Sequence, residues 1–420
     1  MIKKKVLVYG SLDSLIIFLE SPFKLEYEIL ALIAEDFDEI DSKSLNVGFE
    51  LVSLRNVNQF AYKIIDGLVI VNDKNRRVST NYFISQGVEP RKIILWNNQG
   101  IPEYFTIKES NGSDVIFMEG LQFHIRKQSD LEFAKQIRWQ LLFQKQFYVT
   151  NPSQYEERLK SSYKRIKNIN FNNPETFTEK IQWLKLYDST PVKTRLADKY
   201  LVRQWVAEKI GDKYLIPLLG VWDKFDDIDF DALPNQFVLK CNHGSGMNII
   251  CRDKESFDRE NAREKINAWM SLDYGALTYE LHYNAIKKKI IAEKFLTNEK
   301  SSDANDYKLW CFDGHVEYVQ VDRNRSTNHV QRFYSVDWEP LSFKIASHTM
   351  DAEILERPST LEEMLNIART LSAGFNIVRV DLYCVKDKIY FGEMTFTPLN
   401  GSVTWDPPYI DYHIGSLIKI

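Results

Sequence analysis

The sequence is sparing in the residues from which several common active sites are built. It has four cysteines in 420 residues, Cys241, Cys251, Cys311 and Cys384. No two are spaced Cys-x-x-Cys, which excludes a zinc ribbon and a thioredoxin-type redox pair. A long chain with so little cysteine needs no disulfide framework, so reduced thiols in a cytoplasmic protein are expected. The seven histidines form no His-Glu-x-x-His pair and no metal-spaced cluster with cysteine. There is no Gly-x-Ser-x-Gly nucleophile elbow. There is also no glycine loop opening a helix with Gly-Lys-Ser/Thr, so a P-loop is excluded. The net charge is -4, and without a basic field nucleic acid is not expected as a partner. Long apolar runs are absent too. The stretch after Lys3-Lys4-Lys5 is too short, and lacks the cleavage pattern, for a signal peptide, while SLIIFLE is too short to span a bilayer.

What is present suits packed cores: 44% of residues are hydrophobic and 13% aromatic. The length favours two or three domains. From the N-terminus, KVLVYG, FELVSL, GLVIV and KIILW are short apolar runs separated by segments compatible with helices, one of them over Ser14 to Glu20. That alternation predicts a parallel α/β unit over residues 1–125. Gly10 stands alone where a dinucleotide fingerprint would need three glycines, so the strand end reads either as a nucleotide crevice or as a plain turn. Residues 126–172 read as a helical linker, with Leu131, Phe133, Ile137, Leu141 and Leu142 near helical spacing. Beyond it, Thr176 and Glu179 make a capping-box pattern, and TRLADKYLVRQWVAEKIG has helical periodicity ending at Gly211.

Four segments carry chemistry. FVLKCNHGSGMNIIC puts Lys240 on a strand before a loop containing His243, Gly244, Ser245 and Gly246. Glycines there let backbone N–H groups approach an anion. KKIIAEKFL is an apolar strand ending in Glu293 and Lys294, whose backbone suits a purine edge and whose side chains suit ribose hydroxyls. DYKLWCFDGHVEYVQVDRNR is a hairpin about Asp313-Gly314. Its first strand alternates Asp306, Lys308 and Trp310 onto one face, and its second leads to Arg323 and Arg325, which suit a phosphate or carboxylate. FNIVRVDLYCVKDKIYFGEMTFTP is a second hairpin that sets Asp381 beside Glu393, with Arg379 on the same face as Asp381. Paired carboxylates need a cation, and oxygen ligands suit magnesium. Each segment alone is equally an ordinary hairpin or loop.

Taken in order, the four segments resemble the TupA-like branch of the ATP-grasp superfamily, over roughly residues 173–420. The resemblance implies an ATP-grasp catalytic domain over residues 173–420; with the N-terminal α/β unit, which itself resembles small Rossmann-like domains, the expected fold is multidomain, α/β and α+β. The ATP-grasp resemblance implies ATP and Mg²⁺ as cofactors. Lys199 and Lys240 correspond to the two lysines that approach the nucleotide phosphates, Glu293 to the segment holding adenine and ribose, and Lys308 to a basic residue facing the phosphates. Asp381 and Glu393 correspond to the metal ligands. Where many members read Glu-x-Asn, this chain reads Glu393-Met394-Thr395, and a hydroxyl is a weaker ligand than an amide oxygen. The branch is associated with surface-polysaccharide synthesis. The implied reaction is therefore amide formation between a sugar acid and an amine through an acyl phosphate, in association with polysaccharide biosynthesis machinery. The same residues leave open a kinase acting on a sugar or amide. They also leave open a non-catalytic or glycosyl-transferring member of an assembly complex.

Overall fold

The computed structural model describes residues 4–10, 15, 27–34, 51–53, 67–71, 76–96, 105–108, 114–118, 121–146, 152–163, 169–296, 305–324 and 327–420. The chain divides into two compact units, Met1–Tyr148 with Arg259–Ala268, and Val149–Asp258 with Trp269–Ile420.

In the first unit, β1 (Lys4–Gly10), β2 (Tyr27–Ala34), β3 (Leu51–Ser53), β4 (Gly67–Val71) and β5 (Ile93–Trp96) form a five-stranded sheet in the order β3-β2-β1-β4-β5. All four pairings are parallel, as the alternation of apolar runs predicts. A parallel sheet is buried on both faces, and this is why KVLVYG and GLVIV are unbroken apolar runs. Leu7, Tyr9, Leu68, Ile70 and Leu95 pack with Phe83 of the helix Arg76–Ser85. The helix expected over Ser14 to Glu20 lies outside the described residues, apart from a helical Leu15. An antiparallel sheet of β6 (Phe105–Lys108), β7 (Asp114–Met118) and β8 (Leu121–Ile125) follows. It carries no signal strong enough to single it out in the sequence.

The expected helical linker contains the helices Gln128–Gln146 and Pro152–Tyr163, and the division between the units falls between them. Most of the helix Arg259–Ser271 also belongs to the first unit. Its buried Glu264 accepts hydrogen bonds from the His124 backbone N–H, at 3.1 Å, and from Arg126, at 3.2 Å.

In the second unit, the helix Phe177–Tyr187 begins with the expected capping box, Thr176 and Glu179 satisfying each other's backbone N–H groups. The periodic segment that follows resolves into two helices rather than one, Pro191–Ala197 and Val202–Ile210. The break is made by Asp198, whose carboxylate accepts from the backbone N–H groups of Tyr200 and Leu201 and from the Asn242 side chain. A side-chain acceptor that captures backbone donors in this way ends a helix.

Two sheets then carry the four segments singled out in the sequence. The first, in the order β11-β10-β12-β9, is built from β9 (Leu218–Trp222), β10 (Phe237–Cys241), β11 (Asn248–Cys251) and β12 (Ile290–Lys294). The second is ordered β15-β14-β13-β17-β18, from β13 (Asn305–Phe312), β14 (His315–Arg323), β15 (Val330–Tyr334), β17 (Ile377–Val385) and β18 (Lys388–Thr395). The short β16 (Lys344–Ile345) pairs with β19 (Trp405–Asp406). Strand alternation separates the two faces of the larger sheet. Leu309, Cys311, Val319, Val321, Val378 and Val380 pack under the amphipathic helix Leu361–Ser372. On the opposite face, Trp310, Tyr318 and Phe333 pack with Phe177 and Trp405. Beside that aromatic cluster, the same face carries Asp306, Lys308, Gln320, Asp322 and Asp381, all buried. No described helix is long and apolar enough to cross a membrane.

Candidate functional site

The hairpin β17–β18 delivers what its sequence predicts. Asp381 pairs with Glu393 and Arg379 with Thr395 in the register. The turn that makes this possible uses Lys386 and Asp387, both with left-handed backbone, φ 52° and 58°, which matches the right-handed twist of the flanking strands. The contribution of β13 is not local. It inserts between β14 and β17, so that Lys308 lies opposite Asp381 on one side and Gln320 on the other.

The resulting constellation is tightly paired. Arg379 donates to both oxygens of Asp381, Nε to Oδ1 at 2.7 Å and an Nη to Oδ2 at 2.8 Å. Lys308 donates to Asp381 Oδ2 at 2.9 Å and to Asp306 Oδ2 at 2.6 Å. Burial opposes charge on Asp381, but Arg379 and Lys308 outweigh it and hold the carboxyl below its ordinary range. Likewise burial pulls Lys308 down, while Asp381 and Asp306 carry it above its ordinary value. Asp381, Lys308 and Arg379 are therefore ionised at neutral pH and, with Asp306, form one buried network.

Glu393 differs. Its side chain is 34% exposed, with Arg379 at 3.7 Å and Lys199 at 3.6 Å. It is the accessible carboxylate of the pair. Thr395 Oγ1 lies 3.4 Å from Glu393 Oε1 and 3.3 Å from Arg379. The donor set fits a divalent cation held at Glu393 with Thr395, the remaining positions filled by phosphate oxygens and water as is usual for magnesium. Asp381 joins that set only by giving up part of its pairing with Arg379 or Lys308.

The smaller sheet supplies the rest. Lys199 sits in the helix break fixed by Asp198, donates to the Gly244 carbonyl at 2.6 Å and faces Glu393, and so ties the glycine loop to the accessible carboxylate. The loop itself is close-packed at one end and open at the other. A side chain at Gly244 would meet the Tyr274 ring at 2.8 Å, whereas Gly246 needs its positive φ of 74° and has open space. Ser245 and Gly246 are exposed. Across β10 and β12, Lys240 meets Glu293 diagonally, with Nζ to Oε2 at 2.6 Å. Arg203 holds the other oxygen of Glu293 at 2.7 Å, so this carboxylate is bridged by two cations. Lys294 is exposed.

Some expected site residues stand apart. His243 is buried, with Nε2 3.2 Å from the Trp269 carbonyl, so its ring is turned into the protein rather than toward the loop surface. Arg323 is engaged with Asp351 at 3.2 Å and Glu353 at 2.8 Å. Arg325 lies outside the described residues. Conversely, the sequence reading missed Arg203, whose partner is far away in the chain, and Tyr274, which packs on Gly244, hydrogen-bonds Ser245 and senses the charge of Glu393. None of the cysteines is a nucleophile candidate. All four are free thiols, and burial pushes Cys241 and Cys311 up to about 12.

Buried histidines near the loop give a stability prediction. Burial lowers His243 from its ordinary value of 6.5 to about 4, and His282 to about 3. Below pH 6.5 the unfolded chain takes up protons that the folded chain refuses, so unfolding free energy falls on acidification. Denaturant titrations between pH 7 and 4.5 should show this loss, of the order of a few kcal/mol. The double variant His243→Gln/His282→Gln should show a visibly shallower dependence on pH.

The family described as TupA-like ATPgrasp matches residues 179–419, more than half of the chain. The protein therefore belongs to the TupA-like ATP-grasp family. No curated protein matches it significantly. Among solved structures, N5-carboxyaminoimidazole synthetase from Staphylococcus aureus aligns with a TM-score of 0.30 at 11% identity, covering 95% of this chain and 72% of that one. D-alanine–D-alanine ligase from Bacillus anthracis, solved with ATP, aligns with a TM-score of 0.29 at 12% identity, covering 94% and 86%. The ATP-grasp ligase PsnB, solved with a minimal precursor, Mg and ADP, gives 0.29 at 12% identity, covering 79% and 88%. At these scores the likenesses are distant.

Proposed function

We propose that the protein is an ATP-dependent carboxylate–amine ligase acting on a sugar acid, with Mg²⁺ as the metal. The observation that carries this reading is one accessible carboxylate, Glu393, with Lys199 at 3.6 Å and Arg379 at 3.7 Å, beside the glycine loop that Lys199 holds and next to the buried Asp381–Lys308 pair. When bound, ATP would supply the phosphoryl group that converts the acid to an acyl phosphate, from which an amine would displace inorganic phosphate, and Mg²⁺ would neutralise the ATP phosphates. Glu393 and Thr395 would hold the metal, with Asp381 as a further oxygen donor. Lys199, Lys240 and the backbone of Gly244, Ser245 and Gly246 face the phosphates. Arg379 and Lys308 are fixed in advance by Asp381 and Asp306, so their positive charge opposes developing negative charge without reorganising. Glu293 and Lys294 lie on the strand that would receive adenine and ribose. Arg323 is a candidate for gripping the acid by exchanging exposed Glu353 for the substrate carboxylate.

The five-stranded parallel sheet of the first unit supports a Rossmann-like reading of the N-terminal domain, and the family supports a role beside cytoplasmic polysaccharide-synthesis enzymes. The test is ATP consumption with mass spectrometry of products, across uronic acids crossed with small amines in the presence of magnesium. A product equal to acid plus amine minus water, with ADP and phosphate, is expected. A phosphorylated product would make the protein a kinase instead. Tight ATP binding without turnover would leave only a polymer-linked acid, tested next with oligouronides.

A further inference from the structure

β18 is the last strand of the larger sheet, and its register with β17 ends at the pair Arg379 and Thr395. Glu393 and Thr395, the donors assigned to the metal, therefore stand where the ladder stops. Magnesium takes ligands only in near-ideal octahedral geometry, so the backbone at and beyond Thr395 needs an anchor. That anchor is made of side chains. Thr397, two residues on, is buried, and its hydroxyl donates to the carboxylate of Glu280, which is 5% exposed. The chain then turns through Leu399 and Asn400, both with left-handed backbone, φ 58° and 56°. Residues other than glycine keep that conformation only where their surroundings impose it. Here Gln182 grips the turn, its Nε2 donating to the Asn400 carbonyl at 2.9 Å and the Gly401 carbonyl at 2.8 Å. Lys185, wholly buried, donates in turn to Gln182 Oε1 and to the Thr278 carbonyl, each at 3.1 Å.

Glu280 belongs to the same short stretch of chain that packs on the glycine loop. The helix Tyr274–Thr278 is capped by Asp273, which accepts from the Ala276 N–H at 3.2 Å, and the Tyr274 ring lies against Gly244. Tyr279 follows with left-handed backbone at φ 57°, which ends the helix and delivers Glu280. Burial raises the Glu280 pKa, against the pull of Lys185 and of the hydroxyls of Thr397 and Thr278. Tyr274 and Glu280 both feel the negative charge of Glu393, which places them beside the accessible carboxylate. Glu280 is enclosed, and its carboxylate is engaged by Thr397, so it acts through that hydroxyl rather than on a substrate.

We propose that Glu280 is a positioning residue for the metal site: through Thr397 it fixes the end of β18, so that Thr395 and Glu393 present their oxygens to one Mg²⁺ ion together. The inference rests on the metal assignment in the ligase reading above. A threonine hydroxyl is a weak ligand, and its contribution depends on being held in place before the ion arrives. Because Tyr274 lies on the same stretch as Glu280, one segment holds both the metal donors and the glycine loop.

Calorimetric titration with the non-hydrolysable ATP analogue AMPPNP tests this without turnover. Each protein is titrated in Mg²⁺ and in EDTA, and the ratio of the two affinities is its metal-dependent gain. Thr397→Val removes the hydroxyl at nearly constant volume and should cut that gain about 10-fold, with the affinity in EDTA unchanged. Thr397→Ser should restore most of it. Glu280→Met should match Thr397→Val, and the double variant should be no worse than either, because both remove the same bond. Glu280→Gln keeps an acceptor oxygen and should lose less than Glu280→Met. Thermal unfolding is followed in parallel. Lower stability with an unchanged gain would mean a structural role only and would overturn the proposal. Equal losses in Mg²⁺ and EDTA, or a serine variant no better than valine, would do the same. If Glu280→Met does not fold, the comparison of Thr397→Val with Thr397→Ser decides alone. A wild type that binds AMPPNP no tighter in Mg²⁺ than in EDTA would overturn the metal assignment and this inference with it. A wild-type gain that every variant retains would overturn only this inference.

Discussion

Glu393→Gln is expected to lower ATP-dependent turnover roughly 10²–10³-fold while leaving the fold in place. The asymmetry of the carboxylate pair carries this expectation. Asp381 is enclosed by Arg379 and Lys308, which leaves Glu393 as the accessible anionic oxygen donor. An amide in its place keeps the shape but removes the charge that holds a divalent cation. Its ion contacts, at 3.6 Å and 3.7 Å, are long and partly solvated, so losing them costs little stability. Thermal unfolding should therefore move by no more than a few degrees. Magnesium titration of the residual activity should show a raised half-saturation. A variant that kept full turnover at limiting magnesium would remove Glu393 from the metal site.

Lys308→Met is expected to do the reverse and strike stability first, by about 3–5 kcal/mol. Among the described residues, Lys308 is the cation that reaches Asp306, Asp322 and Asp381 together, at 2.6, 4.0 and 2.9 Å. Without it, Asp306, Asp322 and Asp381 each lose one cationic neighbour in a low-dielectric setting, which favours protonation of a carboxylate or loosening of the sheet. The loss should be partly recovered in Asp306→Asn/Lys308→Met, because removing a carboxylate that Lys308 balanced removes part of the penalty. Urea denaturation of the two variants measures both terms. Additive losses in the double variant would show that the network is not coupled as its distances imply. Acid acts on the same network. The Asp381 pKa is depressed, so its contribution is present above the unfolded carboxylate value and is lost as pH falls through the folded one.

The parts of this site that were legible in the sequence are those made by neighbours in the chain. VRVDLYCVKDKIYFGEMTF reads as a hairpin, and period-two alternation then fixes which side chains share a face, so Asp381 beside Glu393 and Arg379 next to Asp381 follow at once. The Asp313-Gly314 turn, with φ 51° and 79°, is equally local. Strand order is not local. Nothing in DYKLWCF states that it will lie against VRVDLYC, and so the Lys308–Asp381 contact was missed; the family likeness supplied only a basic residue at Lys308 facing the phosphates. The same holds for Arg203 on Glu293, 90 residues apart. His243 shows the opposite failure. Its place in a glycine loop suggests a ligand contact, but the tertiary fold turns it onto the Trp269 carbonyl. The helical periodicity of residues 194–211 was real, yet the capture of backbone donors by Asp198 broke it, and that break is what positions Lys199.

The central claim is that ATP activates a carboxylate for attack by an amine, and it can be followed atom by atom. With the acid labelled with ¹⁸O in its carboxyl group, turnover should place one ¹⁸O atom in the inorganic phosphate, because the oxygen that attacks the γ-phosphorus leaves with it when the amine displaces it. The amide should retain the other. Labelled phosphate appearing only when acid and amine are both present would match the account. Unlabelled phosphate, or a phosphoryl group remaining on the organic product, would contradict it.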